Sequence, residues 1–379
     1  MKPTVKTIAD QPSWVIRSDE VELAVTRLGG QMAPVSFYRR SRVPVRPYYI
    51  SPWQGEGLKI DDPVLVPLRG DFFCLPFGAP SEFRGRRHDC HGESATRQWT
   101  CEGVERSGGM TTLTLSMSDR TLGGRVLKML GLVDGQNVVY CRHVLEGFSG
   151  RAPLAHHATL AMPTRQRSVH VATSPKRFCA TFPMPGGDPA DGEYSCLAPN
   201  NRFKSLSRVP TIWREPAFAD CATHPARKGF VDIVACVNSR SRTPAWTAAT
   251  FADAGFVWFS LKDAAVLPTT MLWMENHGRH SAPWNGRNCC LGLEDICAFF
   301  SLGMAASVRP NALSRAGVPT AVRFDPRKAT VVNYIQGVVK VPRGFGKVRA
   351  VRFAPGKATF VSTTRKSVTA PVNHEFLRS

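Results

Sequence analysis

The chain has 379 residues and a hydrophobic content of 43%, which is enough apolar material to build a large core. Its charged fraction of 21% argues against a largely disordered chain, and no apolar run approaches the roughly 20 residues of a membrane-spanning helix. The net charge of +20 would attract polyanions, but the basic residues are dispersed and carry no nucleic-acid-binding motif. We therefore expect neither a membrane nor a nucleic-acid partner.

The N-terminus and the cysteines indicate the compartment. No apolar stretch of the kind found in signal peptides follows the first lysines. The eleven cysteines are scattered and include no Cys-x-x-Cys pair, which argues against a disulfide framework or a zinc ribbon. These observations predict a cytoplasmic protein whose thiols are reduced and mostly buried.

Alternation of apolar and polar residues predicts β-strands along the whole chain. Asp134-Gly135 interrupts the segment 125–146 and predicts a hairpin, because this dipeptide favours a tight two-residue turn. No stretch of a dozen residues has the spacing and caps of an amphipathic helix. The fold class predicted from these patterns is all-β, with further strands at residues 21–25, 112–118, 256–262, 271–275 and 289–300.

The organisation along the chain favours one domain over residues 1–379. The 31 glycines and 29 prolines occur at short intervals, and no linker rich in Gly or Ser separates two parts. Residues 163–230 are expected to form long loops at the sheet edges.

Four segments place proton-handling residues among apolar neighbours, where burial costs free energy unless the polar group is paired. Such groups are candidates for function, although structural ion pairs have the same appearance in a sequence. The four segments are Leu68–Gly78, Cys90–Gly92 followed by Arg97 and Trp99, Pro153–Leu160, and Cys290–Asp295.

In these segments the chain resembles the galactose mutarotase-like superfamily, which includes the aldose 1-epimerases. The Arg69-Gly…Pro-Phe-Gly78 stretch followed by His91-Gly…Trp99 is similar to the hexose-6-phosphate mutarotase branch. Leu-Gly-Leu-Glu294 looks like the strand of the catalytic glutamate, and His157 lies in a segment that resembles the strand of the catalytic histidine. The resemblance runs from about residue 20 to 360. It implies an antiparallel β-supersandwich with an N-terminal strand arm and additional C-terminal strands.

The resemblance also implies an activity, the interconversion of sugar anomers. Opening a hemiacetal requires one group that accepts a proton and one that donates it, with neither cofactor nor metal. By resemblance Glu294 is the base and His157 the acid, while His91 and Arg69 bind the oxygens of the sugar. The expected ligand is a free or phosphorylated hexose, and Trp273 and Trp284 are candidates to stack on a face of its ring.

Alternatives remain open at this stage. His156 rather than His157 could be the functional histidine, and His88 with His91 superficially suggests a metal site, although strand geometry would place the two on opposite sides. Arg69 could instead form a surface ion pair.

The function also has alternatives. The Asn-Arg-Ile and Leu-His-Gly-Gly strings that are common in the superfamily are absent. A non-catalytic sugar-binding protein of the same fold is therefore the second hypothesis. Arg84, Arg86 and Arg87 could meet a phosphate or could simply be exposed charges.

Overall fold

The computed structural model describes residues 3–379, which form 29 strands, three short α-helices and two 3-10 helices. In the first part of the chain the strands are β1 (Thr4–Ile8), β2 (Gln11–Arg17), β3 (Glu22–Thr26), β4 (Met32–Ser36), β5 (Phe73–Cys74), β6 (Ser81–Phe83), β7 (Arg86–His88), β8 (Thr100–Ser107), β9 (Met110–Asp119), β10 (Gly124–Val133), β11 (Val138–Glu146), β12 (Gly150–Ala152), β13 (Leu154–Ala161), β14 (Val169–Thr173) and β15 (Lys176–Thr181).

The remaining strands are β16 (Arg202–Phe203), β17 (Val209–Pro210), β18 (Phe218–Ala219), β19 (Thr223–His224), β20 (Phe230–Asn238), β21 (Ala245–Phe251), β22 (Phe256–Lys262), β23 (Thr269–Asn276), β24 (Cys289–Cys297), β25 (Val322–Phe324), β26 (Thr330–Lys340), β27 (Val348–Ala354), β28 (Lys357–Ser362) and β29 (Ser367–Pro371). The helices are α1 (Glu93–Thr96), α2 (Gly303–Val308) and α3 (Ala312–Arg315), and the 3-10 helices are Pro189–Asp191 and His374–Arg378. None of the helices in residues 3–379 is long and apolar enough to cross a membrane.

Two large antiparallel sheets form the body of the fold. One has nine strands in the order β19-β14-β21-β22-β26-β11-β10-β9-β8, and the other has seven in the order β16-β15-β20-β23-β24-β13-β5. Smaller sheets are β1-β2-β3-β4, β27-β28-β29 and the two-stranded ribbons β6-β7, β12-β25 and β17-β18. The predicted all-β class and antiparallel sandwich are confirmed.

The two large sheets pack face to face around one apolar core. Leu293 and Leu272 from the seven-stranded sheet share this core with Leu115 and Trp258 from the nine-stranded sheet. A second core covers the outer face of the seven-stranded sheet, and a third packs the outer face of the nine-stranded sheet against β27–β29. Both large sheets are therefore covered on both faces, and strands such as β22 and β23 are buried along their whole length.

Alternation along a strand divides its residues between these faces. Asp295 of β24 points to the core between the sheets, where it accepts hydrogen bonds from Tyr334 and Ser260. Glu294, the next residue, points to the outer face, which we call the cleft face. The same parity turns His156 inward, towards Asp71, and His157 to the cleft face.

The structure confirms some of the local strand predictions and contradicts one of the loop predictions. Strand β22 spans the predicted residues 256–262, and β10 and β11 form the predicted hairpin around Gly135, which has a φ of 74°. The expectation of loops over residues 163–230 is wrong in part, because β14, β15, β16 and β19 extend both large sheets.

The prediction that all cysteine thiols are reduced is wrong for one pair. Cys179 of β15 and Cys236 of β20 form a disulfide, with Cα atoms 4.1 Å apart, whereas all thiols were expected to be reduced. The two residues are 57 positions apart in the sequence, and only the pairing of β15 with β20 brings them opposite each other. The other nine cysteines are free.

Candidate functional site

A cavity of about 210 Å³ lies on the cleft face of the seven-stranded sheet. Its floor comes from β13, β23 and β24, and loops from the first hundred residues cover part of it. Five of the six residues expected at the site meet here, and only Arg69 does not line the cavity. Among the lining residues are Glu294, His157, His91, Trp273, Trp284, Arg279, Asp62 and Phe72.

Glu294 and His157 face each other across neighbouring strands. They are directly paired in the register of β24 and β13, and Nε2 of His157 lies 3.5 Å from Oε1 of Glu294. The backbone N–H of His157 donates to the carbonyl of Phe72, and its Nδ1 lies 3.1 Å from the hydroxyl of Thr159. The Phe72 ring stacks on the imidazole with centroids 4.5 Å apart. These contacts hold the ring with Nε2 towards the carboxyl group.

The glycine of Leu-Gly-Leu-Glu provides room for this carboxyl group. Gly292 lies two residues before Glu294 and therefore on the same face of β24. A Cβ atom at position 292 would lie 2.7 Å from Oε1 of Glu294 and 3.1 Å from Cβ of Trp273. Any larger residue would displace the carboxyl group from its present position.

Burial shifts the two pKa values in opposite directions. The pKa of Glu294 is raised well above its usual range, first by desolvation and then by the neighbouring charge of Asp295. The pKa of His157 is lowered well below its usual range, first by desolvation and then by His91. Burial therefore favours the neutral form of each group, in which the proton is on Glu294 and not on His157.

His91 completes a group of cavity-lining residues that carry buried polar atoms without a partner. Its ring lies edge-on to that of His157 with centroids 4.8 Å apart, and desolvation lowers its pKa to about 4. Nδ1 of His91, Nε1 of Trp273 and Oε2 of Glu294 are buried and have no hydrogen-bond partner within residues 3–379. Buried polar atoms are almost always paired, so these three are candidates for hydrogen bonds to a polar ligand.

Aromatic rings form one wall of the cavity. The rings of Trp273 and Trp284 meet edge to face with centroids 5.7 Å apart, and Trp53 packs on Trp284 at 4.9 Å. Such a wall offers apolar contact to the C–H faces of a small polar ring, so that the hydroxyls at the edge of that ring can form hydrogen bonds with other residues of the cavity.

Comparisons with known proteins agree with this architecture. No family model matches the sequence, and no curated protein matches it either. Solved structures do match. A galactose mutarotase-like protein from Clostridium acetobutylicum superimposes with a TM-score of 0.60 at 10% identity, over 89% of this chain and 98% of that one.

Two further structures have the same arrangement. A galactose mutarotase related enzyme from Lactobacillus acidophilus has a TM-score of 0.54 at 12% identity and covers 87% of this chain and 98% of its own. A galactose mutarotase-like protein from Lactobacillus casei has a TM-score of 0.54 at 10% identity and covers 86% of this chain and all of its own, 100%. The chain has the galactose mutarotase-like fold.

Within this mutarotase-like fold, the structure corrects the role expected for Arg69. Its side chain is buried away from the cavity and donates to the carbonyls of Pro67, Ile8 and Ala9 and to Oε1 of Gln54. Arg69 therefore fastens the N-terminal hairpin of β1 and β2 to the following loop. The sequence could not distinguish this use of a buried guanidinium from sugar binding, because both satisfy its donors.

Two charged residues at the cavity were not identified from the sequence. Arg279 lies 3.3 Å from Glu193 through Nη1 and has its guanidinium 5.8 Å from the ring centroid of Trp284. Asp62 lines the same cavity, and desolvation raises its pKa. Both lie in loops without periodicity, so no sequence signal distinguishes them from exposed charges. Clusters of metal-ligating residues were not found in the described part of the chain.

Proposed function

We propose that the protein is an aldose 1-epimerase-like isomerase that interconverts the anomers of a hexose or a related sugar. The observation that carries this proposal is the pair Glu294 and His157, which lie face to face at the cavity with unpartnered polar atoms of His91 and Trp273 on neighbouring lining residues. The names of the structural neighbours, mutarotase-like proteins and a mutarotase related enzyme, support the same reaction class.

The proposed reaction takes one proton from the sugar and gives one proton to it, so the total number of protons on the sugar does not change. The Glu294 carboxylate takes the proton of the C1 hydroxyl, the bond from C1 to the ring oxygen breaks, and the imidazolium of His157 protonates that oxygen. An open-chain aldehyde results, together with a protonated Glu294 and a neutral His157. After rotation about the C1–C2 bond, the hydroxyl adds to the other face of the aldehyde and both protons return.

The pKa directions fit one state of this cycle. The neutral pair that burial favours is the state that accompanies the open-chain intermediate. The ion pair that accompanies the cyclic sugar must then be stabilised by hydrogen bonds from the bound sugar, which replace the water lost on burial. We assign this role to the sugar hydroxyls at Oε2 of Glu294 and to the neutral imidazole of His91.

The test is the rate of anomer exchange. Saturation-transfer NMR on glucose, galactose and glucose 6-phosphate would compare the wild type with Glu294→Gln, which keeps the shape of the side chain but removes the base. Losing a general base costs about 10²–10⁴-fold in rate. Glu105→Gln is the matched control, because Glu105 is an exposed carboxylate on β8 outside the cavity. Equal rates for the wild type and Glu294→Gln would remove Glu294 from the mechanism.

A non-catalytic sugar-binding protein is the second candidate. Two observations favour it: the 3.5 Å between Nε2 of His157 and Oε1 of Glu294 is long for a hydrogen bond, and Arg69 does not reach the cavity. This candidate predicts that the wild type binds a sugar without accelerating anomer exchange.

A further inference from the structure

A second cavity, of about 540 Å³, shares no lining residue with the first. It lies between the β6–β7 hairpin, the β12–β25 ribbon and helix α2. Four of its lining residues are the arginines Arg84, Arg86, Arg151 and Arg323, and none is an aspartate or a glutamate. We call it the arginine cavity.

Two of these arginines are held opposite each other. Arg151 of β12 and Arg323 of β25 are directly paired in the antiparallel register, and both side chains are exposed. Like charges at such positions destabilise a strand pair, because the side chains lie closest there. Neither has an ion-pair partner within residues 3–379. An anion between them would turn the repulsion into attraction.

The other two arginines are also left without a carboxylate. Arg86 donates from Nη1 to the carbonyl of Thr121 at 2.6 Å, and the guanidinium of Arg84 lies 5.3 Å from the ring centroid of Phe83. Guanidinium groups retain further donors after one such contact, in a planar arrangement that suits oxyanions.

A buried histidine also reaches this cavity. His88 is 3% exposed, and its buried Nδ1 has no hydrogen-bond partner in the described part of the chain. The two carboxyl groups whose charges act on His88 have other partners: Glu93 accepts from the backbone N–H of Arg120 and the hydroxyl of Thr121, and Asp89 accepts from the hydroxyl of Thr96. The imidazole of His88 therefore lies near the charge of Arg86 and has one nitrogen without a protein partner, which could donate to a bound oxyanion.

We propose that the arginine cavity binds a small oxyanion of phosphate chemistry, such as inorganic phosphate or a phosphate monoester. Arginine is suited to this ligand because its fork of N–H donors matches two oxygens of a phosphate. Arg151 and Arg323 contribute from the β12–β25 ribbon, and Arg84, Arg86 and His88 contribute from the β6–β7 hairpin. The site is independent of the sugar reaction, since none of its residues belongs to the first cavity.

The test is calorimetric titration of the full chain with inorganic phosphate and with glucose 6-phosphate at constant ionic strength. The double variant Arg151→Gln/Arg323→Gln removes the facing charges. We expect its affinity for phosphate to fall roughly tenfold or more for each arginine removed. Arg352→Gln is the matched control, because Arg352 is an exposed strand arginine on β27 outside this cavity.

Thermal unfolding separates binding from a structural role. Without phosphate, the double variant should unfold at the same or a higher temperature than the wild type, because a like-charge pair has been removed. Added phosphate should raise the unfolding temperature of the wild type and of Arg352→Gln more than that of the double variant.

The proposal is overturned if phosphate binds the double variant as tightly as the wild type, or if Arg352→Gln loses as much affinity. It is equally overturned if the wild type binds a DNA duplex through these arginines but binds neither phosphate nor the monoester. If Glu294→Gln weakens the binding of both inorganic phosphate and glucose 6-phosphate while the double variant leaves it unchanged, both ligands bind in the first cavity and the proposal is refuted.

Discussion

Replacing Gly292 by alanine tests whether the position of the Glu294 carboxyl group matters. The added methyl group would lie 2.7 Å from Oε1 of Glu294 and within 3.3 Å of two carbon atoms of Trp273. Heavy atoms cannot remain that close in a packed interior, so the carboxyl group must move by a few tenths of an ångström or more. Overpacking of this kind costs about 1–3 kcal/mol of stability.

The effect on the reaction should exceed the effect on folding. A misplacement of about 1 Å in a catalytic group reduces rates roughly 10²-fold. We therefore expect Gly292→Ala to remain folded while its rate of anomer exchange falls about 10²-fold. Saturation-transfer NMR gives the rate, and urea unfolding monitored by tryptophan fluorescence gives the stability.

Gly103→Ala is the matched control for this substitution. Gly103 is also a strand glycine, in β8, and a Cβ atom there would meet no heavy atom within 4 Å. The same chemical change should leave both rate and stability near wild type, with a small gain in stability because alanine restricts the unfolded chain. If Gly292→Ala retains the rate of Gly103→Ala, then the Glu294 carboxyl position is not what controls the reaction.

Three further predictions follow from the titratable groups. The pH profile of kcat/KM should be bell-shaped with a broad plateau that includes neutral pH. Activity is lost on the acid side when both His157, whose pKa is lowered, and Glu294 are protonated. It is lost on the alkaline side when Glu294, whose pKa is raised, and His157 are both deprotonated. Burial raises the pKa of Glu275 to about 7 from 4.5, so the free energy of unfolding should decline as the pH rises through this window and the carboxyl group ionises. Glu275→Gln should remove up to about 3 kcal/mol of this decline, as measured by urea unfolding at both ends of the window. Lys262 is fully buried and donates to Asp295, so Lys262→Met should destabilise the fold by about 3–5 kcal/mol, and a double variant with Asp295→Asn should recover most of the loss. The first argument is contradicted if kcat/KM does not fall at acid pH. The second is contradicted if the unfolding free energy of Glu275→Gln declines with pH as much as that of the wild type. The third is contradicted if the double variant is no more stable than Lys262→Met.

The strand pattern and most residues of the candidate site could be predicted from the sequence. Alternation and the Asp134-Gly135 turn are local signals, and they led to β22 and to the β10–β11 hairpin. The resemblance identified Glu294 and His157, and the structure brings them together because they occupy facing positions on β24 and β13. Their catalytic role stays a prediction until the anomer exchange is measured.

The hydrogen-bond partners of the Arg69 side chain could not be predicted from the sequence. Its neighbours in the fold, the carbonyls of Ile8 and Ala9, lie about sixty positions away in the chain. Arg279 reached the cavity for a similar reason, through a turn whose backbone N–H groups donate to Glu275. Whether a charged group binds a ligand or its own backbone depends on which distant segments approach it.

Two nearly identical segments show most clearly where the sequence determines structure and where the tertiary fold decides. Residues 322–332 and 351–361 agree at eight of eleven positions, and both begin as strands. In the second copy, Pro355-Gly356 closes a hairpin of β27 and β28, because Gly356 adopts a φ of 71° that suits a tight turn. In the first copy, β25 pairs with β12 instead and places Arg323 opposite Arg151.

Strand propensity was thus determined locally, by the shared alternation of the two copies. The pairing of the first copy was decided only by the tertiary structure, because β26, which follows it, is held between β22 and β11 in the nine-stranded sheet and cannot fold back on β25. The same division holds at the cleft face. The sequence determined that Glu294 and His157 lie on strands. The packing of both sheets decided that each is buried, and this burial raises the pKa of Glu294 and lowers the pKa of His157.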